Sequence, residues 1–372
     1  MSWALWVTGP PASGKSTIAR AVAEALEIRG HHAVVLELDA MRRMVTPEPT
    51  YTDTERDRVY RGLVWVATVL TSCGIPVIID ATAHRRAWRD LARSSISSFA
   101  EIQLSCPLPV LREREQTRPL GHAPTGIYAA AEKPGATVPG VNVAWEPSPA
   151  AEVTIDTATD DVAAAVERVL PVALALADAA PVRPPASPAR WAIWITGRPG
   201  SGKTTLASSV AEALAARGIA ARILDLAEVR GFMHATASAG GEELAHRILV
   251  FAAKTLTDAG VPVIIDATAP RRLWRQLARE LIGHFAEVQL VCPPEVCGDR
   301  ERAVRWNLTV CAAMPRPRTR GGDGPDVVLD YEPALSPELT IYTDVEDVWL
   351  AGDAILRLAE RLHRHAIAAR VA

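Results

Sequence analysis

Cysteine is scarce in this chain: five in 372 residues, Cys73, Cys106, Cys292, Cys297 and Cys311. No two form a CxxC pair and the count is odd, so neither a disulfide framework nor a zinc site is expected. Cys106 and Cys292 end apolar runs at matching places in the chain, where small buried hydrophobes are the simplest reading. Uninterrupted apolar runs of membrane-spanning length are missing too; Val162–Val182 is broken by Glu167, Arg168, Pro171 and Asp178. Only eight residues precede Gly9, and they already read as a strand, so no signal peptide is expected. Nor does one sign of charge dominate. With 40 basic and 43 acidic residues the net charge is −3, which leaves no broad footprint for nucleic acid or an anionic membrane. No His/Cys/Asp cluster has metal-ligand spacing. The expectation is a cytoplasmic protein whose partner is a small molecule, with any anion recognition confined to local sites.

What is present is a core and a repeat. Apolar residues make up 49% and charged residues 22%, the balance of a globular protein. The length fits two or three domains at roughly 150 residues each. Trp3, Trp6 and Gly9 recur as Trp191, Trp194 and Gly197, an offset of 188. The run from Cys73 to Arg93, CGIPVIIDATAHRRAWRDLAR, recurs from Ala259 to Arg279 as AGVPVIIDATAPRRLWRQLAR, with 16 of 21 positions identical and an offset of 186. The stretch between the copies, AAPVRPPASPAR, has the proline and alanine content of a semi-rigid linker. The expected organisation is a unit over residues 1–178, a linker over 179–190 and a second unit over 191–372. Packing of the two units together and dimerisation of the chain are both compatible with the sequence.

Each copy alternates short β-branched runs with longer helical patterns. In the first, strands are expected at Ala4–Thr8, Ala33–Leu38, Pro76–Asp80, Glu101–Cys106 and Glu152–Ile155. Helices are expected at Lys15–Arg29, Thr54–Thr71, Arg85–Ser97, Pro107–Glu115 and Asp160–Ala177. Continuous apolar strands such as VPVIID suit a parallel sheet covered on both faces. The fold class is therefore α/β: two tandem units, each a doubly wound, mostly parallel five-stranded sheet with helices on both faces. Ligands of such sheets bind at the carboxyl ends of the strands.

The strongest chemical signal lies there in both copies. GPPASGKST runs from Gly9 to Thr17 and GRPGSGKTT from Gly197 to Thr205, each after a strand and opening a helix. This is the setting of a P-loop, in which glycines let successive N–H groups face a phosphate and the helix N-terminus adds a favourable dipole. Gly9, Ser13, Gly14, Lys15, Ser16 and Thr17 form the first expected nucleotide cradle. Gly197, Ser201, Gly202, Lys203, Thr204 and Thr205 form the second. The expected cofactors are ATP and Mg²⁺. Lys15 and Lys203 are placed to reach the terminal phosphates, and Ser16 and Thr204 to hold the metal. Asp80 and Asp266 end the VPVIID strands and are the expected metal-side carboxylates. After the second strand, Asp39 is placed to accept a proton from a hydroxyl, and Arg42 to grip an anionic group nearby.

The ordered set of motifs resembles the adenylylsulfate kinase family. Leu36, Glu37, Leu38, Asp39 and Arg42 take the place of that family's LDGDxxR. Tyr51 and Thr52 resemble its aromatic-Ser pair, and Arg61 falls on the first arginine of its IRR helix. Gly126, Ile127 and Tyr128 resemble its GLY lid; Gly140, Val141, Trp145, Glu146 and Pro147 resemble the GI and YExP pieces. The resemblance implies phosphoryl transfer from ATP to the ribose 3′-hydroxyl of adenylylsulfate, with Asp39 as the base. It assigns Arg42, Arg56 and Arg61 to the acceptor's anionic part, Tyr51 to its adenine and Tyr128 to the acceptor side. Arg112, Arg114 and Arg118 lie around the start of the lid, and Arg114 is the expected charge-screening catalytic residue. Departures are visible: Glu37 replaces the first Asp, three alanines follow Tyr128 instead of lid lysines, and Val138 stands at an aromatic position. Another hydroxyl acceptor (a nucleoside, an antibiotic-like compound or a polynucleotide end) stays open, as does a nucleotide-gated binding module.

The second copy keeps the nucleotide side and loses acceptor-side groups. Asp39 becomes Ala227, Tyr51 becomes Ala237, Arg56 becomes Glu242 and Arg58 becomes Leu244, while Arg61 remains as Arg247. The expectation is that the first unit does the chemistry and the second binds nucleotide with a degenerate acceptor side. Asp225 is the one residue that could stand in as base.

Overall fold

A computed structural model describes residues 2–117, 126–180, 189–234, 239–311 and 330–371. The chain divides into two compact units, Met1–Pro184 and Pro185–Ala372. Most of the expected linker, and Arg118, Ala237 and Ala372, lie outside the described residues.

The first unit runs β1 (Trp3–Thr8), α1 (Lys15–Glu27), β2 (Val34–Glu37), α2 (Leu38–Val45), α3 (Asp53–Ser72), β3 (Val77–Asp80), α4 (Arg86–Ser95), β4 (Ser98–Ser105), α5 (Leu108–Thr117), α6 (Ile127–Ala130), β5 (Val153–Asp156) and α7 (Val162–Ala179). The second repeats it: β6 (Ala192–Gly197), α8 (Lys203–Ala215), β7 (Arg222–Asp225), α9 (Leu226–Met233), α10 (Ala239–Asp258), β8 (Val263–Asp266), α11 (Arg272–Leu281), β9 (Phe285–Val291), α12 (Pro294–Cys311), β10 (Leu339–Tyr342) and α13 (Val348–Val371).

Both sheets are parallel and have the same order, β2-β3-β1-β4-β5 and β7-β8-β6-β9-β10. The P-loop strand is central in each, as burial on both faces requires of a wholly apolar strand. Along β1 the side chains alternate. Trp3, Leu5 and Val7 join a core with Ile18 and Val22 of α1 and Val169 of α7. Trp6 faces the other way, edge-on to Phe99 at 6.5 Å. Most expected boundaries shift by a residue or two, and two departures matter more. β4 begins at Ser98 rather than Glu101, because pairing with β1 starts at Trp3 opposite Ser98. The segment after β2 turns at once into helix, so Asp39 sits in the first turn of α2 rather than beyond a strand end.

A buried ion pair braces each unit. Arg89 of α4 lies 2.9 Å from Glu101 of β4, both almost wholly shielded from solvent. The same guanidinium donates to the carbonyls of Ala83 and Glu146. It thereby clamps the loop after β3, whose Ala83 is left-handed with φ 39°. Other groups bind the same loop. Trp6 Nε1 donates to Ala81 O at 3.0 Å, Thr8 Oγ1 to Thr82 O at 2.7 Å, and Glu146 N to His84 O at 2.8 Å. Unit two copies this ladder with Trp194, Thr196, Arg275 and Glu287. Removing one member of a buried pair strands the other charge, at a cost of about 3–5 kcal/mol. Arg89→Met should therefore lower the stability of the first unit by about that amount in urea unfolding, and adding Glu101→Leu should recover much of it. A single-variant loss under about 1 kcal/mol, the value of a surface pair, would contradict the clamp.

Candidate active site

The P-loop leaves β1 at Gly9, and its glycine is needed for close approach. A Cβ there would meet Leu104 O and Ser13 Oγ at 2.8 Å each. Gly14, at φ 91°, turns the chain into α1 so that Lys15 and Ser16 open the helix. Lys15 Nζ donates to Pro10 O at 2.9 Å. Ser13 Oγ is fully buried and makes no hydrogen bond among the described residues. Asp80 pairs in register with Val7, which brings its carboxylate beside the loop, near the Ser16 hydroxyl. Burial pushes the Asp80 carboxyl up; Lys15 and the Ser16 hydroxyl pull against that.

A single cleft of ≈ 890 Å³ joins this cradle to the acceptor groups. Lys15, Ser16, Asp80, Asp39, Arg42, Tyr51, Arg56 and Arg114 all line it. Two guanidiniums lie against the ring of Tyr51, Arg42 at 5.3 Å and Arg56 at 5.8 Å from its centre. Its backbone is left-handed at φ 54°, held by Glu55, which accepts from Thr50 N at 2.7 Å and Tyr51 N at 3.3 Å. Arg42 is paired with Glu55 at 3.2 Å. Arg56 differs: its Nη1 is buried and makes no hydrogen bond among the described residues, and burial lowers its pKa. A buried guanidinium nitrogen left without an acceptor is a site for an anion.

Two expected acceptor residues are not brought into this cleft. Arg61 is absent from its lining and pairs with Asp57 at 2.8 Å, one helical turn back, as Arg247 does with Glu243 in the second unit. Tyr128 is buried and is also absent from the lining; its hydroxyl donates to Pro11 O at 2.8 Å. Burial pushes that phenol up to about 12, so it braces the P-loop as a neutral donor. Arg114 does line the cleft, yet it donates to Thr157 beyond β5, at 3.1 Å to Oγ1, and Arg300 repeats this with Thr343 at 3.3 Å. That shared bond ties α5 to the sheet in the first unit and α12 to it in the second. Arg112 is not among the lining residues.

Three cleft residues have no place in the motifs of the sequence. Lys133 enters the lining because α6 and the turn after it carry it back toward the P-loop; a lysine five residues beyond Tyr128 is the available signal. Tyr60 stacks on Trp88 at 4.1 Å and accepts from Ala83 N at 2.9 Å. His84 sits edge-on to the same tryptophan at 5.1 Å. Burial, then Arg56 and Arg85, push His84 down to about 4, so it is neutral near pH 7.

In the second unit the P-loop contacts repeat those of the first. Lys203 Nζ donates to Gly197 O at 3.1 Å and Arg198 O at 3.0 Å, and Thr204 hydrogen-bonds to Asp266. A Cβ on Gly197 would meet Leu290 O at 2.7 Å.

Fold and cleft together define an ATP-dependent P-loop kinase that phosphorylates a hydroxyl. The chain belongs to the Adenylylsulphate kinase family, whose model matches residues 1–156 and 189–306, one segment in each unit. The probable adenylyl-sulfate kinase of Archaeoglobus fulgidus is 34% identical over 164 residues, 43% of this chain and 99% of that relative. The adenylyl-sulfate kinase of Shewanella baltica is 32% identical over 169 residues, 45% of this chain and 78% of that one. Among solved structures, the Mycobacterium tuberculosis APS kinase CysC in complex with AMPPNP and APS is 25% identical, with a TM-score of 0.41; the match covers 46% of this chain and 98% of that one.

The buried histidines set an acid limit. His84 and His246 are held at about 4 and about 3, below the ordinary 6.5, chiefly by burial. The unfolded chain therefore takes up these protons first, and the stability they allow is present above pH 6.5 and lost as pH falls below it. His84→Gln with His246→Gln should flatten the fall in urea midpoint between pH 6.5 and 5 relative to the parent; an identical slope would contradict this.

Proposed function

We propose that the first unit transfers the γ-phosphoryl group of ATP to the ribose 3′-hydroxyl of adenylylsulfate, giving ADP and 3′-phosphoadenylylsulfate. The observation that carries the reading is one cleft lined by Lys15 of the P-loop together with Asp39, Tyr51 and Arg56. The family membership and the two relatives' names support the choice of acceptor.

Asp39 accepts the hydroxyl proton as the oxygen attacks; the new P–O bond forms as the bond to the bridging oxygen of ADP breaks, in line. Lys15 balances charge on the phosphates. The buried Nη1 of Arg56 takes the acceptor's anionic group, and the partly exposed ring of Tyr51, in contact with Arg42 and Arg56, stacks on the adenine. Ser16 and Asp80 fit Mg²⁺: a hydroxyl and a carboxylate side by side are hard oxygen ligands at the right end of the P-loop. When bound, the ion neutralises phosphate charge. Val138, lining the cleft where the family has an aromatic residue, favours a second reading, a different hydroxyl acceptor.

The direct test is incubation with ATP, Mg²⁺ and adenylylsulfate, with chromatography for the 3′-phosphorylated product. Acceptor-stimulated ADP release with another hydroxyl compound, and none with adenylylsulfate, would favour the second reading. Asp39→Asn should lower kcat by about 10²–10⁴ with little change in nucleotide affinity. Arg56→Ala should act mainly on the acceptor's KM, raising it at least about tenfold, the worth of one charge-assisted hydrogen bond.

A further inference from the structure

We infer that the second unit is a nucleoside triphosphate site that binds without turning over, so that one chain holds two nucleotides and uses one. This rests on the first unit being the kinase, and it concerns what the second copy has kept and what it has replaced.

The phosphate side is a built site. Gly197 and Gly200 let the backbone into space that a side chain would fill: a Cβ on Gly200 would lie 2.4 Å from Cys297 O. Ser201 Oγ is fully buried within the loop and makes no hydrogen bond among the described residues, the same orphan as Ser13 in the first cradle. Lys203 is folded onto loop carbonyls, its pKa lowered by burial, with Asp266 opposing that. Thr204 and Asp266 reproduce the Ser16–Asp80 pair. Each group that a triphosphate and its cation would engage in the first unit has a counterpart here.

The acceptor side has been cancelled. At the place of Asp39 stands Ala227, exposed on α9. Neither neighbouring carboxylate takes over. Asp225 caps α9, accepting from Ala227 N at 2.8 Å. Glu228 turns to Arg222 on β7 at 3.6 Å. Arg56, whose Nη1 was left for an anion, is replaced by Glu242, and that glutamate pairs with Arg230, the counterpart of Arg42. In the first cleft two guanidiniums face one glutamate; in the second the pair neutralises itself. Tyr60 is replaced by His246, stacked on Trp274 at 3.9 Å and held neutral, so it returns no charge. An anionic acceptor thus finds no base among these groups, and the guanidinium of Arg230, although its Nε makes no hydrogen bond among the described residues, already holds a carboxylate.

Equilibrium dialysis of the full chain against a labelled β,γ-imido ATP analogue with Mg²⁺, and no acceptor, reads the stoichiometry. Two equivalents per chain are expected, falling to one in Lys203→Ala and, as an independent variant, in Thr204→Val. Asp39→Asn should keep both equivalents while acceptor-dependent ADP formation falls to about one hundredth or less. A single equivalent in the parent, or two in both second-unit variants, would overturn the site. Half or more of the turnover surviving in Asp39→Asn would overturn its silence. The dialysis needs no acceptor, so a wrong acceptor under the proposed function does not alter the number of nucleotides bound.

Discussion

The active cleft depends on a charge placed where water cannot reach it. Arg89 is wholly buried, and one guanidinium joins α4, β4, the loop after β3 and the segment after Trp145. That loop supplies Ala81, Thr82 and His84 to the cleft and fixes the chain directly beyond Asp80. Carbonyl groups on a buried loop must find donors, and here four successive carbonyls are met by Trp6, Thr8, Arg89 and the Glu146 amide. The desolvation of the arginine is offset by the glutamate and by fixed carbonyls. Trp145 adds its ring below the guanidinium at 5.2 Å, and Tyr331 does so for Arg275 at 5.4 Å. This arrangement stands twice in the chain, so it belongs to the scaffold rather than to one acceptor.

Much of this is legible in the sequence, for reasons of period and spacing. Strands buried on both faces appear as unbroken apolar runs, and β1 and β3 lie within a residue or two of where those runs place them. P-loops combine a strand, a glycine turn and a helix, so local sequence states both their chemistry and their position. The order β2-β3-β1-β4-β5 is not legible, because parallel pairing is made between segments far apart in the chain. Helix α2 hides behind the motif at Asp39, which has the look of a strand end, although Leu38, Met41 and Val45 follow a helical spacing and are buried. Arg61 and Tyr128 show a different limit. Matching a motif fixes order along the chain, but the direction of a side chain is set by packing. Asp57 lies one turn from Arg61, and a carbonyl of the P-loop lies over Tyr128.

The two units place the P-loop and the α2–α3 groups on separate elements of one backbone. The P-loop residues lie between β1 and α1 and between β6 and α8, and their lysines hydrogen-bond to carbonyls of the same loop. Acceptor groups sit on α2 and α3, whose counterparts are α9 and α10. A substitution there leaves the cradle's geometry untouched, because the cradle's hydrogen bonds run within the loop and to the neighbouring strand end. Glu242 in the place of Arg56 reverses a charge and still keeps its partner satisfied, since Arg230 is within reach. The charge reversal at this position is thus met by an ion pair within the second unit.

Tyr51 carries a consequence of its own. Its left-handed backbone and its two adjacent guanidiniums are in place before any acceptor arrives. The cost of freezing a large side chain is thus met during folding and not at the encounter. Under the proposed function, a planar ring stacking here would meet a surface already set by Glu55 and the two arginines, so little of the binding energy would go into ordering it.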